Sequence, residues 1–262
     1  LKAILNYFSN PQNVNKTLNI QKISLLIVLL LYLHFKLPSM KDLLSVLKIS
    51  VPNKIFIKDP ETSELGKRII ENSIILINDI GFESFTFKKL GIKIKSNESS
   101  IYRYFESKHK LLLYLSSWYW AWLEYQLVLE TFSISDKKEK LEKAIFIVTK
   151  TVKEDSNFSH INETLLYKII VNESSKSFLT KEVDKDNKEG YFEVYKRLIT
   201  RLKAMIVDVS PDYKYPLSLA STILEGGLHQ HFLNEHFPSI TNSKKGKTPT
   251  KFFINLIHQT LN

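Results

Sequence analysis

The run from Phe85 to Leu112, FTFKKLGIKIKSNESSIYRYFESKHKLL, constrains the chain more than any other stretch. Two short apolar-periodic segments flank the polar connection Lys95-Ser96-Asn97, and the second ends in Tyr102-Arg103-Tyr104-Phe105. That is the layout of a helix-turn-helix, whose second helix enters the DNA major groove. Ser84 or Thr86 can cap the first helix of the pair, with Phe87, Leu90 and Ile94 facing inward. In the second, from about Glu98 to Phe105, Ile101 and Phe105 lie four apart and share a face. A turn of about 100° per residue then points Ser99 and Arg103 outward, with Ser100, Tyr102 and Tyr104 on the flanks.

Such a face suits a duplex. Arg103 can fork onto guanine, Glu98 can accept from cytosine N4, serine is permissive, and tyrosine hydroxyls suit phosphate oxygens. Lys108 opens the next helix, where its ammonium and nearby backbone amides can hold a phosphate. The competing reading makes Tyr102, Arg103 and Tyr104 ordinary surface residues of a helical hairpin.

The rest of the chain also reads as helix. Glycine is scarce, with seven in 262 residues, which disfavours a sandwich or barrel. Asp59-Pro60-Glu61 opens a helix, with Asp as cap and Pro in the first position. It continues through Leu65, Ile69, Ile70, Leu76, Ile77 and Ile80 to a left-handed stop at Gly81. Ser107 starts a fourth helix that runs through SWYWAWLEYQLVLE, and further helices are expected at about 136–154, 160–171, 186–208, 214–236 and 249–261. No strand-like alternation of useful length occurs, so the expected fold class is all-α. Residues 59–112 form the three-helix head, 113–262 a larger helical domain, and 1–58 an N-terminal extension whose part 40–58 is a short helix followed by an extended arm.

Residues 1–39 stand apart. They carry Lys2, Lys16, Lys22 and Lys36 and no acidic residue, and their apolar run from Ile23 to Phe35 falls short of the roughly 20 residues that span a bilayer. Lys16 and Lys22 imitate a signal-peptide start, but no small-residue cleavage site follows. Three readings stand: upstream sequence brought in by a mis-assigned start, with Met40 the beginning; an extra helix packing on the body; or a membrane anchor or signal in 23–35.

The net charge of +10 fits a nucleic-acid partner, although across residues 63–110 nine Lys/Arg stand against only six Asp/Glu. The absence of cysteine excludes disulfides, thiolate zinc sites and cysteine nucleophiles, and is compatible with a cytoplasmic home. No GxSxG, HExxH or phosphate-loop motif is present, and the expectation is a non-enzyme with no cofactor. His229 and His231 are two apart and point in different directions, and although Glu225–His229 and His231–Glu235 have better spacing, helix-surface pairing explains them, so no metal is expected.

Thr86 through Leu112 resembles the N-terminal domain of the TetR family of transcriptional regulators. The corresponding elements are Phe85-Thr86 at the first cap, Lys95-Ser96-Asn97 in the turn, Ser100-Ile101-Tyr102-Arg103-Tyr104-Phe105 in the recognition helix, and Ser107-Lys108-His109-Lys110-Leu111 at the start of the fourth. With the preceding helix the likeness covers about 61–112. It implies that Thr86, Ser99, Ser100, Tyr102, Tyr104 and Lys108 occupy positions that touch DNA. Two departures stand out: Lys95 replaces the turn glycine, at a cost of about 1 kcal/mol if the left-handed geometry persists, and Phe85 replaces a usual Thr.

The resemblance further implies a sequence-specific, effector-responsive repressor. Its partners are a double-stranded DNA operator, a small-molecule effector and a second copy of the chain bound through 214–236 and 249–261. Gly226-Gly227 then marks close helix approach at the dimer seam, or else a kink. On the fourth helix Trp118, Trp122 and Tyr125 share a face, which is either core and dimer contact or the wall of a ligand pocket. The alternative function is a helical ligand-binding or protein-interaction module that does not bind DNA.

Overall fold

The computed structural model describes residues 49–152, 160–243 and 248–261; the apolar run 23–35 and the other questions posed by residues 1–48 lie outside them. Residues 49–262 form one compact unit. Among the described residues every regular element is helical, and no helix is long and apolar enough to cross a membrane.

The chain enters through a short 3₁₀ turn, Asn53–Ile55, that is docked against the molecule. Ile49, Val51 and Ile55 are buried, and Ile57 N–H donates to the Tyr104 carbonyl at 2.8 Å. The 49–58 part of the expected arm is therefore held against the body through Ile49, Val51 and Ile55. A second 3₁₀ turn, Pro60–Thr62, follows with Asp59 as its cap. The long helix expected at this proline starts three residues later. Helix α1 spans Glu64–Ser84, and the Ser63 side chain accepts from Gly66 N–H at its start. At Gly81 the backbone takes φ 74° and ψ 158°, a region essentially reserved for glycine, and α1 breaks its regular course there.

Helices α2 (Phe87–Lys93) and α3 (Glu98–Tyr102) complete the head. Helix α4 (Lys108–Thr131) begins in the head and ends deep in the body. Every residue from Leu111 to Glu124 is buried. A helix apolar around its whole circumference must be covered on all sides. The covering elements are α5 (Lys137–Thr149), α6 (Glu163–Glu173) and α9 (Glu193–Val209), with the short helices α7 (Ser175–Phe178) and α8 (Val183–Lys188) between α6 and α9. Helices α10 (Pro216–His236) and α11 (Thr250–Thr260) close the body.

Sequence reading merged α8 and α9 into one helix. Gly190 separates them, with φ at 87°. At Gly226-Gly227 α10 continues as regular helix, and other parts of the same chain approach both glycines closely. A methyl group at Gly226 would meet the Phe253 ring at 3.0 Å, and one at Gly227 the Thr149 methyl at 3.1 Å. Head and body are joined chiefly by α1 lying on α6 and by the continuous α4.

Candidate functional site

Local capping builds the three-helix head. Thr86 Oγ1 accepts from Lys89 N–H at 3.2 Å to start α2. At its end Ser96 N–H donates to the Gly91 carbonyl (2.9 Å) and Lys95 N–H to that of Ile92 (3.2 Å), the two bonds of a Schellman turn. Lys95 occupies the left-handed position at φ 52°, the role expected of a glycine. Arg68 of α1 donates to the Ile94 carbonyl and ties the turn to the first helix. Asn97 then caps α3: its Oδ1 accepts from Ser100 N–H and the Ser99 hydroxyl, each at 2.9 Å, and from the Ser100 hydroxyl.

With Ile101 and Phe105 fully buried beneath it, α3 presents Ser99, Tyr102 and Arg103 to solvent. Tyr102 rests edge-on against Phe87, ring centroids 5.0 Å apart, and Arg103 Nη2 donates to Ser100 Oγ at 3.3 Å. Glu98 is half-exposed in the first turn, and Thr86 is exposed at the start of α2. Three expected contact residues sit elsewhere. Tyr104 is only 3 % exposed, its hydroxyl 2.7 Å from Ser63 Oγ. Helix α3 ends at Tyr102, so the helical projection that put Tyr104 on a flank no longer applies. Ser100 is buried and turned to Asn97. Lys108 bends back to the Phe82 and Glu83 carbonyls, 3.1 Å to each, and so closes the end of α1. The sequence reading passed over the cations around the turn. Lys88, Lys89, Lys93 and Lys95 are all exposed, and their crowding within eight residues was the available signal.

A cavity of about 360 Å³ lies in the body between α4, α8, α9 and α10. Its α4 wall is Leu113, Ser116, Ser117 and Trp120, and Tyr191, Tyr195 and Glu225 face it from the other elements. Trp118, Trp122 and Tyr125 do not line it. Trp118 and Trp122 are each 2 % exposed in the core, and Tyr125 packs partly buried against that core. Because α4 is covered all round, its Trp118 face is simply core. The useful signal was the stripe at positions 113, 116, 117 and 120, where two serines interrupt an apolar helix at i, i+3, i+4 and i+7 spacing.

The Tyr195 hydroxyl donates to Glu225 Oε1 at 2.7 Å, and burial followed by that carboxylate pushes its ionisation far above the usual tyrosine range. Ser117 Oγ donates to the Tyr191 carbonyl at 3.3 Å. Ser116 Oγ is buried with no hydrogen-bond partner among the described residues.

Helix α8 touches both the cavity and the head. Asp186, 4 % exposed, has its Oδ2 2.9 Å from His109 Nε2 and its Oδ1 3.7 Å from Lys110 Nζ, both in the first turn of α4. The same Lys110 ammonium lies 3.6 Å from the Tyr191 ring centroid. From the other side, Glu173 of α6 accepts from Phe82 N–H at 3.1 Å just after Gly81. Among the described residues no group of acidic and histidine side chains is arranged to hold a metal. His231 Nε2 donates to the Thr149 carbonyl at 2.8 Å and His236 meets Asn172 at 3.1 Å.

Residues 69–115 match the family described as bacterial regulatory proteins, tetR family. No curated protein matches the chain. Among solved structures, the superantigen PfiT is 16 % identical with TM-score 0.51, covering 78 % of this chain and 99 % of that one. A bacterial regulatory protein in the tetR family from Rhodococcus RHA1 is 12 % identical with TM-score 0.50, covering 76 % and 96 %. The TetR family transcriptional regulator PfmR from Thermus thermophilus is 14 % identical with TM-score 0.49, covering 74 % and 97 %.

Proposed function

We propose that this chain, whose residues 69–115 match the tetR family of bacterial regulatory proteins, is a homodimeric DNA-binding repressor released from its operator by a ligand in the α4–α9 cavity. The reading face is Ser99, Tyr102 and Arg103, with Glu98 and Thr86 beside it. Arg103 forks onto a guanine, the Tyr102 hydroxyl takes a phosphate, and Lys88, Lys89, Lys93 and Lys95 supply sequence-independent attraction. The observation that carries the regulatory half is Asp186, a buried carboxylate on a cavity-wall helix paired to His109 and Lys110 at the start of α4. A ligand that prefers a different seating of α8 thereby biases the position of α4 and of the head. It weakens operator binding only by its differential affinity for the two states.

Two copies are required to present two heads at successive major grooves, about 34–36 Å apart. Leu217, Phe237, Ile240 and Phe252, each more than half exposed on or beside α10 and α11, support pairing through these helices. The likeness to PfiT is one of fold alone, and a fold does not carry a function with it. The ordered caps, turn and exposed guanidinium of the head favour DNA over a purely protein-binding role.

The test is fluorescence anisotropy of the full chain on DNA upstream of its own gene, with excess random competitor. Saturable binding that survives competitor, and drops about tenfold or more in Arg103→Ala, is expected. Arg103→Ala and Tyr102→Ala without effect on retention would defeat the reading.

A further inference from the structure

We propose that the α4–α9 cavity takes an organic cation, a ligand joining an apolar body to a protonated amine. The inference rests on the effector reading above and gives that ligand its chemical class.

The apolar body is specified by the walls. Trp120, Tyr191 and Tyr195 line a space of about 360 Å³, within the range of small-molecule sites. The Trp120 and Tyr195 rings lie 5.4 Å apart at a tilt, which makes one continuous aromatic surface.

The charge is specified by what borders that surface. Three ionisable side chains with a full charge line the cavity: Asp184, Lys196 and Glu225. Asp184 and Lys196 are exposed, and the Lys196 ammonium already donates to Asn187 Oδ1. Glu225 is the half-buried one. The Tyr195 hydroxyl donates to its Oε1. An anionic ligand would bring a second negative charge beside Glu225 in surroundings that screen poorly, where the Lys196 ammonium is exposed and occupied and the Lys110 ammonium behind Tyr191 is already beside Asp186. A cation meets the Glu225 carboxylate and the faces of aromatic rings. One ring of the wall already holds a cation: the Lys110 ammonium lies 3.6 Å from the Tyr191 centroid.

Ser116 is the second, independent sign of a ligand. Its hydroxyl is buried, unpartnered among the described residues, and on the cavity wall. Helical serines in such places ordinarily bond the preceding turn, so an unsatisfied one marks a group awaiting a partner. A ligand nitrogen or oxygen satisfies it once the wall shifts enough to bare the hydroxyl, which is covered in this structure.

The experiment titrates the full chain calorimetrically with three probes sharing one body: phenylbutylamine, phenylbutanamide and phenylbutanoate, at neutral pH. The amine should bind at least about tenfold more tightly than the carboxylate, with the amide between. Glu225→Gln keeps an acceptor for the Tyr195 hydroxyl, so it tests charge alone. It should erase the advantage of the amine and leave the amide unchanged. Carboxylate binding as tight as amine binding, or an amine preference that survives Glu225→Gln, overturns the proposal. If all three probes bind alike and Trp120→Ala abolishes binding, the cavity remains an effector site but its cationic character fails. If none binds at up to about 10 mM, the cavity fails as an effector site as well.

Discussion

A methyl group at Gly91 would sit 2.8 Å from the Ser96 carbonyl oxygen, closer than packed atoms allow, and the Schellman turn brings that carbonyl there. Gly91→Ala should therefore lower stability by about 1–2 kcal/mol despite the helical preference for alanine. Lys95→Gly should raise it, by roughly 1 kcal/mol or less, because it relieves a left-handed lysine while loosening the unfolded chain. Thermal unfolding of the pair checks both signs, and equal effects in one direction would refute this view of the turn. Burial holds the His231 imidazole below its ordinary value near 6.5, against a smaller opposing pull from the Thr149 carbonyl. The unfolded chain thus takes up this proton at higher pH than the folded one. The stability contributed is complete above that value and is lost as pH falls below it toward the folded value. Urea melts from pH 7.5 to 5 should show a shallower decline in His231→Gln than in the parent. Identical slopes would remove His231 from the account. Thr86, Ser107 and the left-handed Lys95 were legible in the sequence because capping and turn chemistry involve only neighbours along the chain. Tyr104 and Lys108 were not, because Ser63 and the Phe82 and Glu83 carbonyls reach them from other elements.

Among elements, α8 is one of the smallest and carries the proposed link between cavity and head. Asp186→Asn keeps the shape of the side chain and removes the charge that His109 and Lys110 meet. It should cost about 2 kcal/mol of stability, as expected when one partner of a buried ion pair is neutralised. It should also uncouple the sites: operator binding persists while any ligand that occupies the cavity releases DNA less well. Unchanged release in anisotropy would show that the signal bypasses α8. A second buried carboxylate, Glu124, is held by two arginines. Burial would raise the Glu124 carboxyl, but hydrogen bonds and charge from Arg197 and Arg201 outweigh it and hold it below the usual range, which locks α4 to α9. Most long helices were readable from apolar periodicity. The division of α8 from α9 was missed because the pattern continues through Gly190, and a single glycine gives no sign of its φ until the chain is folded. The start of α1 was misplaced for a related reason. Asp59-Pro60 is a sound cap, but it serves a 3₁₀ turn that folds back so tightly on Gly66 that a side chain there would overlap the Pro60 backbone.

For the whole molecule, pairing through α10 and α11 predicts a single dimeric species in solution. Phe252 is 55 % exposed in the described chain, so Phe252→Lys should leave the fold intact yet yield monomer by light scattering and weaken operator binding. A variant that stays dimeric would move the interface elsewhere. The sequence reading set a boundary between head and body at residue 112, where the helix runs on unbroken. Helix α4 runs unbroken for 24 residues, about 36 Å at 1.5 Å per residue, with Leu111 through Glu124 buried in succession. Amide protons in the middle of such a helix exchange with deuterium only when nearly everything around them opens. Head and body should therefore share one lifetime, and a substitution deep in the body that hastens opening will shorten the survival of the α3 surface by the same factor.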